Sequence, residues 1–213
     1  PDDVTVLIGV RNRTDHRIVN ALRSVRGQVY PWGRVRALVV DYGSEPQAAA
    51  SLGEICAGLG AALIRVEATS IWSRSRCLNI GLRRGDTKYI MTSDSDILLS
   101  PHYLADAVTA LRAHPLSVVC APMLDLPEEA SETLKRMARG EEPLDVDALR
   151  PRCPPRKGMR LHPSAGVSFL GYHQAIRGYD EFYEGWGRED DDLMSRLIAL
   201  GIRMTPIRHE SFY

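Results

Sequence analysis

The chain has 213 residues, of which 44% are hydrophobic and 25% are charged, and 27 Lys and Arg balance 27 Asp and Glu to a formal net charge of +0. This length supports one well-buried core and is too short for two comfortable domains. The even charge provides no basic field for nucleic acid and no polybasic patch for a membrane surface. We therefore expect one globular domain that binds no nucleic acid.

The cysteines and the apolar runs further narrow the class of protein to which this chain can belong. Cys56, Cys77, Cys120 and Cys153 are widely spread and form no Cys-x-x-Cys pair, so the sequence indicates neither a zinc knuckle nor a disulfide framework. No apolar run approaches the ~20 residues that a membrane-spanning helix needs. These features favour a reducing, cytoplasmic location.

The first half of the chain alternates strand and helix patterns. Short β-branched runs predict strands, and apolar residues at helical spacing predict helices. In chain order the predicted elements are a strand at Val4–Val10, a helix with Ile18, Leu22 and Val25, a strand at 37–40, a helix with Leu52, Ile55 and Leu59, a strand at Ala62–Val66, a helix within 71–82, and a strand at 89–92.

This alternation indicates an α/β fold with a mostly parallel central sheet and helices on both faces, because parallel strands need crossover connections. Ligands of such sheets bind at the carboxyl ends of the strands. Asp41 and Asp94 each follow a predicted strand. We therefore expect the two acids to stand at one edge of the sheet.

The second half has a different composition. A helix is predicted at 101–112, a strand at 117–121, regular structure again at 166–170, and a helix at 189–200 that stops at Gly201. Between them, residues 122–163 are rich in Pro, Glu and Arg, with one amphipathic stretch around 130–138. We expect a single domain with a nucleotide-binding half at 1–100 and a sugar and acceptor half at 101–213, in which 122–163 acts as a mobile lid that cannot bury itself.

Two carboxylates come directly after the predicted strand at 89–92, in the tripeptide Asp94-Ser95-Asp96. An Asp-x-Asp tripeptide is by itself a weak signal, because Asp also caps helices and stabilises turns. Its position at a strand end favours metal binding, since Mg²⁺ and Mn²⁺ are held by one or two carboxylates together with substrate phosphates.

The run WSRSRCLNIGLRRGDTKYIMTSDSDI, residues 72–97, resembles the stretch that precedes the Asp-x-Asp of family-two glycosyltransferases. The segment VVDYGSE, residues 39–45, is similar to their nucleotide-binding turn, although Tyr42 stands where a second Asp is usual. The resemblance implies a GT-A, Rossmann-like nucleotide-diphospho-sugar transferase domain. It further implies that Asp41 contacts the base or ribose, that the loop Val10, Arg11, Asn12 and Arg13 cradles the nucleotide, and that Asp94, Ser95 and Asp96 hold the ribose and a metal ion.

A second match lies downstream, in Gly178-Tyr179-Asp180-Glu181-Phe182 followed by Gly185-Trp186-Gly187-Arg188-Glu189-Asp190-Asp191-Asp192-Leu193. It resembles the Gly-Trp-Gly-x-Glu-Asp-Asp-Asp-Leu motif of β-1,4-galactosyltransferases and related segments of polypeptide N-acetylgalactosaminyltransferases and chondroitin polymerases. The resemblance implies that Asp190 is the catalytic base, that Glu189 and Asp191 help hold the acceptor sugar, and that Trp186 and Gly187 contact it. Arg188 stands where Gly is common.

The acids at 189–192 have a second interpretation, in which they only complement the dipole at a helix N-terminus, worth ~0.3–1 kcal/mol. Four consecutive carboxylates repel one another, however, which makes a poor cap and increases the proton affinity of a carboxylate. Together with the neighbouring Trp186 and both glycines, this repulsion favours a functional role.

Other polar residues are open candidates. The resemblance implies that a histidine near the C-terminus binds the metal ion, and His209 matches that region; a structural or solvated His209 is equally compatible with the sequence. His162 and His173 are weaker candidates. Arg74 and Arg76 are candidates for the pyrophosphate, with solvated helix charges as the alternative.

The reaction implied is metal-dependent transfer of a sugar from a UDP- or GDP-linked donor to a hydroxyl acceptor, with Mn²⁺ or Mg²⁺ as cofactor. A metal-dependent, flavin-free nucleotide-sugar mutase, which interconverts pyranose and furanose forms of a GDP-sugar, uses a similar fold and is the alternative. A sugar-nucleotide-binding module without activity is a third reading. The donor, the acceptor, the oligomeric state and the stereochemical course stay open.

Overall fold

The structure of the protein is a computed structural model that describes residues 1–68, 71–156, 163–185, 187–207 and 211–212; of Pro163 and Ser211 it describes the backbone alone. A seven-stranded sheet runs through the centre. The strands and helices of the described residues follow one another along the chain as β1 (Val4–Val10), α1 (His16–Arg26), β2 (Val35–Tyr42), α2 (Pro46–Leu59), β3 (Ala62–Val66), α3 (Arg74–Arg84), β4 (Tyr89–Ser93), β5 (Leu98–Leu99), α4 (Tyr103–Ala113), β6 (Ser117–Cys120), β7 (Met123–Leu124), α5 (Ser131–Arg139), α6 (Val146–Leu149), β8 (Val167–Phe169), α7 (Leu170–Ala175), α8 (Glu189–Ala199), β9 (Arg203–Pro206) and β10 (Ser211–Phe212).

The central sheet has the strand order β3-β2-β1-β4-β8-β6-β9, and every neighbouring pair is parallel except those that involve β8. Helices α1, α2 and α4 pack on one face, and α3, α7 and α8 pack on the other. The buried faces of β1 explain this arrangement, since Val6 and Ile8 contribute to the first cluster and Leu7 to the second. The predicted mostly parallel sheet with helices on both faces is confirmed.

The helix predicted within 71–82 begins later than the sequence indicates. Ser73 caps α3 by accepting a hydrogen bond from the backbone N–H of Arg76, and the helix starts at Arg74. Ile71, the first residue of the predicted range, precedes the helix and is 68% exposed. A polar cap fixes the start of this helix more strongly than the apolar spacing does.

The segment after β7 differs most from expectation. In its described part, α5 and α6 bury Leu134, Met137, Val146 and Leu149 in a cluster of their own, which also contains Leu98 and Phe212. Asn20 of α1 donates a hydrogen bond to the carbonyl of Leu134 at 2.8 Å, and β5, β10 and β7 form a small second sheet beside it. The expectation that this composition cannot bury itself is therefore wrong. Movement over a bound nucleotide stays a prediction.

None of the helices in the described ranges is both long and apolar enough to cross a membrane.

Candidate functional site

A cavity of about 410 Å³ opens where β1 and β4 end. Because these two strands are parallel neighbours, the loops that follow them leave the sheet at the same edge. The cavity is lined by Gly9, Val10, Arg11, Asn12, Arg13, Trp72, Arg74, Asp94, Ser95 and Asp96. The structure thus brings together the loop after β1, the Asp-x-Asp tripeptide and one of the two candidate arginines.

The loop after β1 is fixed to the loop after β2 through Asn12. The backbone N–H of Asn12 donates to Ser44 Oγ at 2.7 Å, and its Oδ1 accepts from the backbone N–H of Glu45 at 2.8 Å. Asn12 has a φ of 54°, a left-handed conformation that Asn adopts more readily than most residues. These bonds hold one wall of the cavity in place before any ligand binds.

Asp41 stands at the expected edge, but the structure does not bring its side chain to the cavity. The carboxylate is fully buried, accepts from the backbone N–H of Ser44 at 3.0 Å, and pairs with Arg65 Nη1 at 3.1 Å. Asp41 and Arg65 are opposite each other in the register of β2 and β3. In this structure the Asp41 carboxylate stabilises the turn after β2, and its expected contact with a base or ribose stays a prediction.

Arg74 connects the Asp-x-Asp tripeptide to the N-terminus of α8. Its Nε donates to Asp94 Oδ1 at 2.8 Å, while its Nη1 donates to Asp190 Oδ1 at 2.9 Å and lies 3.5 Å from Glu189 Oε1. The guanidinium carbon also lies 5.7 Å from the centre of the Tyr179 ring. We refer to Arg74, Asp94, Glu189 and Asp190 as the Arg74 cluster.

The Arg74 side chain is only 6% exposed. Burial acts to lower the pKa of Arg74, but the charges of Asp94 and Asp190 outweigh it and raise the pKa well above its ordinary value. Within the described residues the buried Nη2 atom has no hydrogen-bond partner. Arg74 is thus a permanent cation that links the cavity to the acids of α8.

The Asp96 carboxylate, unlike the Arg74 guanidinium, has no side-chain hydrogen-bond partner among the described residues. Burial, followed by the negative charge of Asp94, raises the pKa of Asp96. Asp96 also lines a second cavity of about 470 Å³, between the start of α1 and residues 125–134. Two neighbouring carboxylates, of which that of Asp96 accepts no hydrogen bond from a described side chain, form a hard oxygen donor set that suits Mg²⁺ or Mn²⁺.

That donor set contains two residues among those described, and no group of three or more His, Cys, Asp or Glu suited to a metal ion occurs in that part of the chain. His209 and His162 lie outside the described residues. His173 is a core residue, 4% exposed, whose Nε2 is 2.8 Å from Ser168 Oγ. Burial lowers the pKa of His173 to about 4, and His173 is not among the residues that line the cavity at the Asp-x-Asp tripeptide.

The four acids at the start of α8 point in different directions. Glu189 and Asp190 join the Arg74 cluster, whereas Asp191 is 67% exposed and pairs with Arg188, and Asp192 pairs with Arg196. Mutual repulsion is therefore the wrong reason for singling out these acids, since each has a cationic neighbour. The Asp191 side chain lies outside the Arg74 cluster, and its expected contact with an acceptor sugar stays a prediction.

The loop before α8 has the backbone that its glycines predict. Gly185, Gly187 and Arg188 have φ values of 79°, 109° and 75°. The value at Arg188 explains why Gly is common there in the motif it resembles, since a side chain is strained in this conformation. Gly187 N–H donates to Glu189 Oε2 at 3.0 Å, and Gly185 N–H donates to the carbonyl of Trp72 at 2.8 Å. Trp186 lies outside the described residues.

Arg76 is not part of the cavity. Its guanidinium lies 3.2 Å from Glu184 and 4.0 Å from Glu181, on the side of α3 away from Arg74. Residues two apart on a helix do not face the same side, so only one of the two arginines can reach the cavity. Of these two arginines only Arg74 lines the cavity, so its contact with a pyrophosphate stays a prediction.

Sequence reasoning missed three residues of this site. Trp72 lines the cavity and packs edge-on against Tyr42, with ring centres 6.3 Å apart. Tyr179 donates to or accepts from Thr92 Oγ1 at 2.9 Å beneath Arg74, and Ser164 donates to Asp190 Oδ2 at 2.6 Å. Trp72 and Tyr179 carried a signal, since Trp72 begins the run that resembles family-two enzymes and Tyr179 belongs to the downstream match, whereas Ser164 carried none.

A family model described as "Glycosyltransferase like family 2" matches residues 5–210. No curated protein sequence matches the chain.

Solved structures of similar fold include the mannosyltransferase PcManGT from Pyrobaculum calidifontis in complex with GDP-Man and Mn²⁺, which is 19% identical with a TM-score of 0.68. TarS from S. aureus is similar in complex with UDP (17% identity, TM-score 0.71) and with UDP-GlcNAc (16% identity, TM-score 0.69). The match covers 99% of this chain and 56%, 60% and 58% of those chains. This chain thus spans less than two thirds of each, and at these identities the likeness shows the fold alone. The expected single GT-A domain is confirmed.

Proposed function

Because the chain belongs to the glycosyltransferase-like family 2, we propose that it transfers a sugar from a nucleoside-diphosphate sugar to a hydroxyl acceptor, with a divalent cation as cofactor. The observation that carries the proposal is the position of Arg74. Its guanidinium contacts Asp94 at the cavity and Asp190 at the start of α8. The donor cavity and a candidate base therefore lie within the reach of one side chain.

The cavity suits the nucleoside part of the donor. Asn12 is held rigidly by the loop after β2, and the Trp72 ring offers an apolar wall for a base or ribose. Arg11 and Arg13 line the same cavity and would face the phosphates, because guanidinium groups match phosphate oxygens in charge and geometry. The neighbours of this fold bind GDP-Man, UDP and UDP-GlcNAc, which supports a UDP- or GDP-linked donor.

Asp94 and Asp96 would hold the divalent cation. The raised pKa of Asp96 reflects burial beside a second carboxylate, and a bound cation would remove that cost. When bound, the cation neutralises the charge that develops on the departing diphosphate. Mn²⁺ in the PcManGT complex supports this choice of cofactor.

Asp190 is the residue that we propose as the general base. Its side chain is 18% exposed, and Arg74 and Ser164 orient its two oxygens. A carboxylate that is fixed in orientation and still open to solvent can accept the proton of an incoming hydroxyl. Glu189 is 6% exposed and receives the Gly187 N–H, so it orders the loop that would carry the acceptor-binding residues Trp186 and Gly187.

The test is to incubate the purified protein with UDP- and GDP-linked sugars and Mn²⁺, with and without hydroxyl acceptors, and to follow both nucleotide release and the sugar ring form. Metal-dependent release of UDP or GDP together with a glycosylated product supports the proposal. An altered ring form of an intact nucleotide-sugar would instead identify a mutase. Binding without either change would identify a binding module.

A further inference from the structure

Both oxygens of the Asp190 carboxylate receive a hydrogen bond. Arg74 Nη1 donates to Oδ1 at 2.9 Å, and Ser164 Oγ donates to Oδ2 at 2.6 Å. Ser164 belongs to the short 3-10 helix Pro163–Ala165, directly before β8, and is 1% exposed. A hydroxyl this deeply buried does not exchange Asp190 for bulk water, so its bond holds the carboxylate in one orientation.

We propose that Ser164 is a positioning residue of this site, whose hydroxyl orients the Asp190 carboxylate and makes Oδ2 the atom that takes up the proton of the acceptor. The inference rests on the proposed role of Asp190 as the base. Ser164 itself touches neither donor nor acceptor in this account.

The two donors differ in what they can do during proton transfer. The guanidinium of Arg74 can only donate, whereas a serine hydroxyl can donate or accept by rotating. A protonated carboxyl oxygen is a weak acceptor, so a proton on Oδ1 would weaken the charged bond from Arg74. A proton on Oδ2 leaves that bond intact, and the Ser164 hydroxyl can turn to accept from the new O–H.

The transfer step then balances as follows. The O–H bond of the acceptor breaks, and its proton forms a bond to Asp190 Oδ2. The electron pair of that bond stays on the acceptor oxygen, which bonds to the anomeric carbon of the sugar. The bond from that carbon to the diphosphate breaks, and its electron pair leaves with the diphosphate.

Three groups near Asp190, namely Arg74, Cys120 and Tyr179, keep one charge state near neutral pH. Arg74 from α3 is a permanent cation, as its raised pKa indicates. Burial, followed by the charge of Asp190, raises the pKa of Cys120 in β6 to about 12 and raises the pKa of Tyr179 as well. Glu189 precedes Asp190 in α8, and Asp94 lies across Arg74. A change in pH profile when Ser164 alone is altered therefore reports on its carboxylate partner.

The experiment compares Ser164→Ala with Ser75→Ala in an assay of nucleotide release. Ser75 is the matched control, since it is also 1% exposed, neighbours Arg74, and has an Oγ with no hydrogen-bond partner among the described residues. Ser164→Ala should lower turnover about tenfold, because a hydrogen bond to a charged group is lost. Ser164→Ala should leave the KM for the donor unchanged and should move the acid limb of the plot of turnover against pH to higher pH. Ser75→Ala should change none of these.

Two further variants keep the test decisive. Ser164→Thr retains a hydroxyl and should restore turnover, and Ser164→Cys retains the packing with a weak donor and should not. Equal turnover in Ser164→Cys and the parent protein, or equal effects of Ser164→Ala and Ser75→Ala, would overturn the role of Ser164. If the role of Ser164 fails but Asp190→Asn still loses turnover in those same assays, the proposed function stands without a role for Ser164. If Asp190→Asn is fully active, the failure lies in the proposed base instead.

Discussion

The two regions that carry the candidate chemistry arrange neighbouring residues in opposite ways. At the end of β4, Asp94, Ser95 and Asp96 all line one cavity. At the start of α8, four consecutive acids separate, and only Glu189 and Asp190 reach the Arg74 cluster. A loop at a strand end keeps sequence neighbours together, whereas a helix turns by about 100° per residue and sends them to different sides. A strand-end motif therefore predicts a site as a unit, and a helical motif must be resolved residue by residue.

The largest expected effect separates Asp190 from its neighbour. Asp190→Asn keeps the size of the side chain and removes its basicity, so turnover should fall by about 10²–10⁴-fold while nucleotide affinity barely changes. Asp191→Asn is the matched control and should retain turnover, because Asp191 is 67% exposed and pairs with Arg188. Steady-state rates and nucleotide titrations of both variants provide the measurement. A loss confined to Asp191→Asn would mean that the helix presents a different face to the donor.

A second test compares the two arginines at the start of α3. Arg74→Leu should lower the free energy of unfolding by about 3 kcal/mol, since it leaves the buried Glu189 carboxylate and the partly buried Asp190 carboxylate without their cation. Arg76→Leu should change it by no more than about 0.5 kcal/mol, because its partner Glu184 is 49% exposed. Urea denaturation of both variants measures the difference. Equal destabilisation would show that the Arg74 cluster does not hold α3 and α8 together.

A smaller effect on the free energy of unfolding is expected from His173, a polar core residue that belongs to neither region. The pKa of His173 is about 4 in the fold against an ordinary value of 6.5, so unfolding takes up a proton between these two pH values. The stability from the neutral ring is complete above pH 6.5 and is lost as the pH falls towards 4. At pH 5 the free energy of unfolding should be about 2 kcal/mol lower from this residue alone.

Unfolding of His173→Gln, measured between pH 7.5 and pH 5, should show a correspondingly weaker pH dependence. His114→Gln, at an exposed histidine, serves as the control and should keep the parent dependence. Identical pH dependence in the parent protein and His173→Gln would show that His173 is not buried as a neutral ring.

The sequence predicted what local patterns determine. The β-branched run of β1 and the buried strand before Asp94 place the cavity at one edge of the sheet, and both are read directly from neighbouring residues. The contacts of the Asp41 side chain could not be predicted in this way. Its partner Arg65 is brought opposite by the register of β2 against β3, which depends on the whole sheet.

The remaining errors also come from contacts between distant segments. Residues around Leu134 show an amphipathic pattern, but nothing in the sequence indicates that α1 and β5 provide the partner surface. Ser164 lacks any local signal, because a serine before a short strand is common and its importance arises from Asp190, 26 residues later in the chain. Local pattern thus indicates which residue types are available, and tertiary packing decides which of them meet.

The most direct test of the central claim is nucleotide affinity with and without Mn²⁺, measured by calorimetry for the parent protein and for Asp96→Ala. We predict that Mn²⁺ strengthens the binding of UDP or GDP to the parent protein and that Asp96→Ala loses this strengthening while remaining folded. The reason is that Asp96 lines the cavity with no side-chain donor among the described residues, so its carboxylate is available to a cation. Mn²⁺-dependent binding that persists undiminished in Asp96→Ala would contradict the assignment of this cavity as the metal-dependent nucleotide site.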